Sequence, residues 1–178
     1  MTTLSINESS FVKQSIGQKI RVDGRDLNDF RSLKLNSSGT GCQVLLGKTR
    51  VLAHVSAEIV RPTVANPTEG ILVFNTQFSS MSSPSVQQST QSEEELMVSR
   101  LLEKAFRRSR ALDTEGLCIV ASEKVWQIRI DIRILDHEGN VVDCACIAAI
   151  TALLNFKRPD VTVSGYDVIV VWQNDLTR

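Results

Sequence analysis

The chain has 178 residues, 42% hydrophobic and 22% charged, a length that suits one domain burying roughly 70% of its unfolded surface. Its 20 basic and 20 acidic side chains cancel to a formal net charge of zero, which argues against an autonomous, strongly basic nucleic-acid binder but leaves room for a local basic stripe. No apolar run approaches the roughly 18 residues needed to cross a bilayer, and the polar opening Met1–Ser10 lacks a signal-peptide core, so a soluble intracellular chain with no membrane partner is expected.

Met1–Gln14 reads as a flexible N-terminal lead-in, and the charged, Gly-containing Arg21–Phe30 as loop or short extended structure. Gly41–Leu46 and Arg50–Ile59 read as a hairpin turning at Gly47-Lys48-Thr49. Arg61–Gly70 carries Pro62, Asn66 and Pro67 and reads as a loop, followed by a strand over Ile71–Phe78. Ser79–Gln91, low in complexity and rich in Ser, Gln and Thr, reads as a flexible surface loop.

The clearest helix follows. Ser92 and Glu95 have capping-box spacing, with Glu93, Glu94 and Glu95 in the first turn and Lys104, Arg107, Arg108 and Arg110 near the end, as the helix dipole favours. Met97, Val98, Leu101, Leu102, Ala105 and Phe106 are expected on one face by i, i+4 spacing, and Arg100, Lys104 and Arg107 on a different face. Gly116–Ser122 reads as a strand. Val125–Leu135 alternates strictly, with Ile128, Ile130, Ile132 and Ile134 on one face and Gln127, Arg129, Asp131 and Arg133 on the other. After a turn over Asp136–Asn140, Val142–Phe156 reads as an apolar helix rich in small residues, able to lie close against a sheet and stopped by Pro159. Val161–Val163 and Asp167–Trp172 read as short strands. The order predicts an α+β fold with a mixed sheet and packed helices, domain boundaries near 15–165, and a divergent tail over 166–178.

Motif by motif, chemistry finds little support. Gly47-Lys48-Thr49 is no P-loop, because position 42 is Cys rather than Gly and the turn joins two strands. Cys42, Cys118, Cys144 and Cys146 sit among apolar neighbours and read as buried thiols; Cys144-Ala-Cys146 is not metal spacing, and only His54 and His137 are available to help, so no metal and no cofactor is expected. Asp131 between two arginines suggests a cross-strand ion pair, Asp136 a turn, and Asp143 a helix start. No catalytic triad assembles. The basic run Lys104, Arg107, Arg108 and Arg110, with Arg61 on the Pro-containing loop, is the candidate RNA-binding set, since guanidinium groups pair with phosphates. A solvated helix end, electrostatically favoured in any case, is the competing account.

Several of these stretches together resemble the RNase PH family: Arg21–Arg25 (RVDGR), the Gly47-Lys48-Thr49 turn, Ser99–Arg107 (SRLLEKAFR), and Asp136–Asp143 (DHEGNVVD) before a small-residue helix. The resemblance covers about Phe11 to Gly165 and is strongest to the exosome ring subunits of that family. It implies an RNase PH-like fold, partnership with other RNase PH-like exosome subunits in a six-membered ring, RNA-binding cap subunits, RNA itself, and residence in nucleus, nucleolus and cytoplasm. Active members cleave RNA from its 3′ end with inorganic phosphate, held by an Arg at the start of the first long helix and a Gly-Thr-Arg run at the start of the small-residue helix. Those positions fall here at about Glu94 and at Val141-Val142-Asp143. The resemblance therefore implies a non-catalytic structural subunit with no catalytic residues of its own, whose second half of the fold is missing. A phosphate-dependent 3′ exoribonuclease, or a shortened form that does not assemble, are the alternatives.

Overall fold

A computed structural model describes residues 5–80, 82, 92–164 and 167–171. The chain divides into two units, residues 1–32 and 33–178. In the first, where the sequence suggested a lead-in, helix α1 (Ile6–Gly17) forms. Its signal is the capping box Ser5–Glu8: the Ser5 N–H donates to Glu8 Oε2 at 2.8 Å and the Glu8 N–H to Ser5 Oγ at 3.2 Å. These bonds hold the Glu8 carboxyl below its ordinary range, chiefly through the backbone donor. None of its residues is buried, and Ile6 is 88% exposed, so the apolar periodicity that betrays most helices is missing. The loop behind it turns at Gly24 (φ 79°), with Arg25 bonded to Asp23 and to the Asp29 carbonyl.

The second unit is built on one mixed sheet. Strands β1 (Leu33–Ser38), β2 (Gly41–Leu46), β3 (Thr49–Val60), β4 (Ile71–Phe78) and β6 (Lys124–Asp136) lie in the order β1-β2-β3-β6-β4, and the short β5 (Cys118–Val120) also pairs with β6. All pairings are antiparallel except β4 with β6. The β2–β3 hairpin closes with two residues; Gly47 at the first central position has φ 63°, as a type II′ turn requires. β1 has no counterpart among the expected elements: all its residues are exposed, so no buried alternation marks it. Within Gly116–Ser122 only Cys118–Val120 is strand. Glu115–Leu117 forms a 3-10 turn and Ser122 (φ 67°) reverses the chain into β6.

One sheet face carries the core. Val51, Ala53, Val55 and Ala57 on β3 stand opposite Ile134, Ile132, Ile130 and Ile128 on β6, and all but Ala57 are buried. Helix α3 (Val141–Asn155) packs on this face, with Cys144, Ala145, Ala148, Ala149 and Ala152 wholly buried; their small side chains allow the close approach expected of them. Helix α2 (Glu93–Ser109) covers β4 and touches α3, burying Val98, Leu102 and Phe106, with the Phe106 ring centroid 5.0 Å from that of Phe74; Met97, Leu101 and Ala105, expected on the same face, are exposed, because the sheet covers only a narrow strip of the helix. β7 (Asp160–Ser164) and β8 (Asp167–Val171) form a separate antiparallel pair. Most of the expected surface loop (positions 81 and 83–91), and Trp172 with the rest of the tail, lie outside the described residues. The fold class is thus α+β with a mixed sheet, as the element order implied. No described helix is long and apolar enough to cross a membrane.

Candidate nucleic-acid interface

The basic candidates sit at the C-terminal end of α2, where backbone carbonyls lack helical partners and attract positive charge. The structure splits them. Arg107 in the last turn and Arg110, the left-handed C-cap (φ 49°), line one hollow, bounded by the loop after β3 and by Leu112–Glu115. Lys104 and Arg108, one helical turn apart, are exposed and do not line it. Arg61, also exposed, starts the loop without lining the hollow. Glu69, Asp113 and Glu115 share the hollow with the two arginines, and Arg107 Nη2 lies 3.0 Å from Glu103 Oε1. The hollow therefore carries no surplus of positive charge, which sequence did not show because Glu69 is distant along the chain and the placing of Asp113 and Glu115 depends on the loop after α2.

The sheet face away from the helices is polar. Asp131 accepts from Arg129 Nε at 3.1 Å and from Asn75 Nδ2 at 2.9 Å. The ion pair expected across strands runs instead along β6, because residues two apart share a face; the residues opposite Asp131 are His54 and Asn75, neither of them an arginine. The cross-strand ion pair lies elsewhere, between Arg50 and Asp136 (Nε–Oδ2 3.3 Å), and is too exposed to contribute much.

Glu94 and Asp143, which the family resemblance led us to expect at its phosphate-ligand positions, both fall in first helical turns. Glu94 is half-buried at the start of α2, its N–H donating to Ser92 Oγ at 3.2 Å. Asp143 is exposed in the first turn of α3 and, after burial itself, is a cause that pushes the Cys146 thiol up. Burial likewise raises the Cys42 thiol. All four cysteines are free. Among the described residues no group of three or more His, Cys, Asp or Glu is placed to hold a metal ion.

Sequence spacing located the capping box of α2 but not its reach. Glu95, 7% exposed, accepts from the Ser92 N–H at 2.9 Å through Oε2 and from the Phe78 N–H at 2.7 Å through Oε1. One carboxylate thereby ties the start of the helix to the end of β4.

Residues 31–159, the sheet from just before β1 to the end of α3, match the model of the 3′ exoribonuclease family, domain 1, RNase PH. The chain belongs to this family. It is 49% identical over 172 residues to exosome complex component RRP45 of Danio rerio, covering 95% of this chain and 44% of that protein. It is 44% identical to RRP45A of Arabidopsis thaliana, over 96% of this chain and 57% of that protein. The chain thus spans about half the length of these RNase PH relatives. Among solved structures, a chain of the Archaeoglobus fulgidus exosome with RNA bound to the active site superposes with a TM-score of 0.77 at 29% identity, covering 83% of this chain and 60% of that one. A chain of an archaeal exosome core gives 0.72 at 25% identity, over 91% and 72%.

Proposed function

We propose that this chain is a structural subunit of the exosome core ring, without catalysis of its own, that joins other RNase PH-like subunits in a six-membered ring under RNA-binding caps and helps to thread RNA. The observation that carries this reading is the 49% identity to exosome complex component RRP45 across 95% of the chain. Supporting the absence of catalysis, Glu94 and Asp143 are the residues we infer at the places of the family's phosphate-binding cations. A helix N-terminus attracts anions, and a carboxylate in the first turn already occupies that role. A like charge about 4 Å from a phosphate also costs about 4 kcal/mol near a protein surface, where an arginine would contribute attraction of similar size. Phosphorolysis would then lack both nucleophile binding and charge stabilisation in the transition state. With this role goes residence in the nucleus, nucleolus and cytoplasm.

Two measurements test the proposal. Co-expressed with the other ring subunits, the chain should co-purify in a particle of ring mass; a chain that never enters the particle refutes the ring role. The purified chain given RNA, phosphate and magnesium should release no nucleoside diphosphate; steady release would make it the phosphate-dependent exoribonuclease instead. For RNA threading, Arg107 and Arg110 are the first residues to test, then Arg61. Replacing Arg107 and Arg110 with Gln in the assembled ring should reduce the salt dependence of single-stranded RNA binding by about 1.4 in log–log slope, the value for two fewer phosphates neutralised. An unchanged slope removes them from the RNA path.

A further inference from the structure

Helix α2 presents an outward stripe that neither the core nor the hollow beside Arg107 and Arg110 uses. At i, i+4 spacing it runs Glu93, Met97, Leu101 and Ala105, with Arg108 at i+3 from Ala105, and every one of these residues is exposed. Met97 and Leu101 are 51% and 45% exposed, and Leu96 beside them is 38% exposed. The stripe is apolar at its middle, flanked there by the exposed Arg100, acidic at its start and basic at its end, where Lys104 adds a second cation. Neither Glu93 nor Arg108 takes part in an ion pair among the described residues.

We infer that this stripe is a self-complementary surface through which two copies of the chain pair, α2 against α2 and antiparallel. The geometry singles out that occupant. About a two-fold axis near the midpoint between Arg100 and Leu101, Glu93 of one copy lies against Arg108 of the other, Met97 against Lys104, and Leu101 against the axis itself. Fifteen residues separate Glu93 from Arg108, roughly 22 Å at 1.5 Å per residue, so both charge pairs form at once only if the helices run antiparallel. A parallel arrangement would set Glu93 on Glu93 and Arg108 on Arg108. A two-fold interface places the same patch on both sides, so one stripe with opposite charges at its ends satisfies itself twice. A nucleic acid would find cations at one end only, an acid at the other, and nothing to cover Met97 and Leu101. The apolar middle loses water on pairing, and the long stem of Lys104 lies along the Met97 of the other copy with its ammonium group in water.

The test uses the whole chain in solution without RNA or other subunits. Sedimentation or light scattering over a concentration series should show the mass rising towards twice that of the chain. Glu93→Lys and Arg108→Glu, both exposed changes, should each weaken association at least tenfold, because each creates two repulsive pairs. An equimolar mixture of the two single variants should recover a dimer. At one end of the mixed pair the two introduced side chains, one basic and one acidic, meet each other, while the natural Glu93 and Arg108 meet at the opposite end. Leu101→Asp should abolish pairing, with circular dichroism confirming that each variant is folded. A chain that stays monomeric at every concentration overturns the inference. So does pairing that survives either charge reversal, or a mixture that fails to recover it.

Discussion

Glu95 is the residue whose removal tests the architecture most directly. Its carboxylate receives two backbone N–H groups, Ser92 at 2.9 Å and Phe78 at 2.7 Å. A hydrogen bond to a charged group contributes about 1.5–3 kcal/mol. Losing both in Glu95→Ala would cost about 3–6 kcal/mol, offset because the buried carboxylate no longer needs desolvating and the Ser92 N–H can find water. A net loss of about 2–4 kcal/mol is expected, a large share of the 5–15 kcal/mol typical of a domain. In urea, with slopes of about 1–3 kcal/mol per molar, the midpoint should fall by about 1–2 M with the slope unchanged. The buried indole of Trp126 is a fluorescence probe of that transition. Glu95→Gln keeps one acceptor oxygen and should cost about half as much. Glu8→Ala breaks the same motif in α1, where nothing is buried, and should leave the midpoint where it is while lowering helicity slightly. A Glu95→Ala midpoint matching the unsubstituted chain, or Gln as damaging as Ala, would refute the claim that this carboxylate joins helix to strand.

Two further outcomes follow from packing and charge. A Cβ at Gly70 would sit 2.4 Å from Leu117 Cβ and 2.8 Å from the Trp126 carbonyl oxygen, so Gly70→Ala should destabilise by about 2–3 kcal/mol in the same urea assay. At Gly41 the nearest atoms lie at 3.6 Å, and Gly41→Ala should cost less than about 1 kcal/mol; equal effects at the two sites would contradict this account. Burial first and then the Asp143 charge raise the Cys146 thiol, so it should alkylate more slowly than a free cysteine at neutral pH. Asp143→Asn removes the repulsion between carboxylate and thiolate, lowers the thiol towards its ordinary range and should speed alkylation, read by peptide mass spectrometry. No change in rate would mean that the carboxylate does not act on the sulfur.

Much of the domain was legible along the chain. The alternation of Ile128, Ile130, Ile132 and Ile134 marked β6, Ser92 with Glu95 marked the start of α2, and the small residues from Ala145 to Ala152 marked a helix pressed against a sheet. Each is a local pattern whose period matches one element. β1 and α1 escaped because neither buries a side chain, so no hydrophobic period reports them; the Ser5–Glu8 box was the one signal available for α1.

The candidate site divides in the same way. Sequence alone determined where the basic residues cluster along the chain, because residue identity needs no coordinates. Tertiary structure alone decided that Arg107 and Arg110 face a hollow they share with Glu69, Asp113 and Glu115, that Lys104 and Arg108 turn outward beside Met97 and Leu101, and that Glu95 reaches Phe78. Charge and hydrogen bonding act over a few ångströms of space, and partners that close are set by how strands and helices pack, however far apart they lie along the chain.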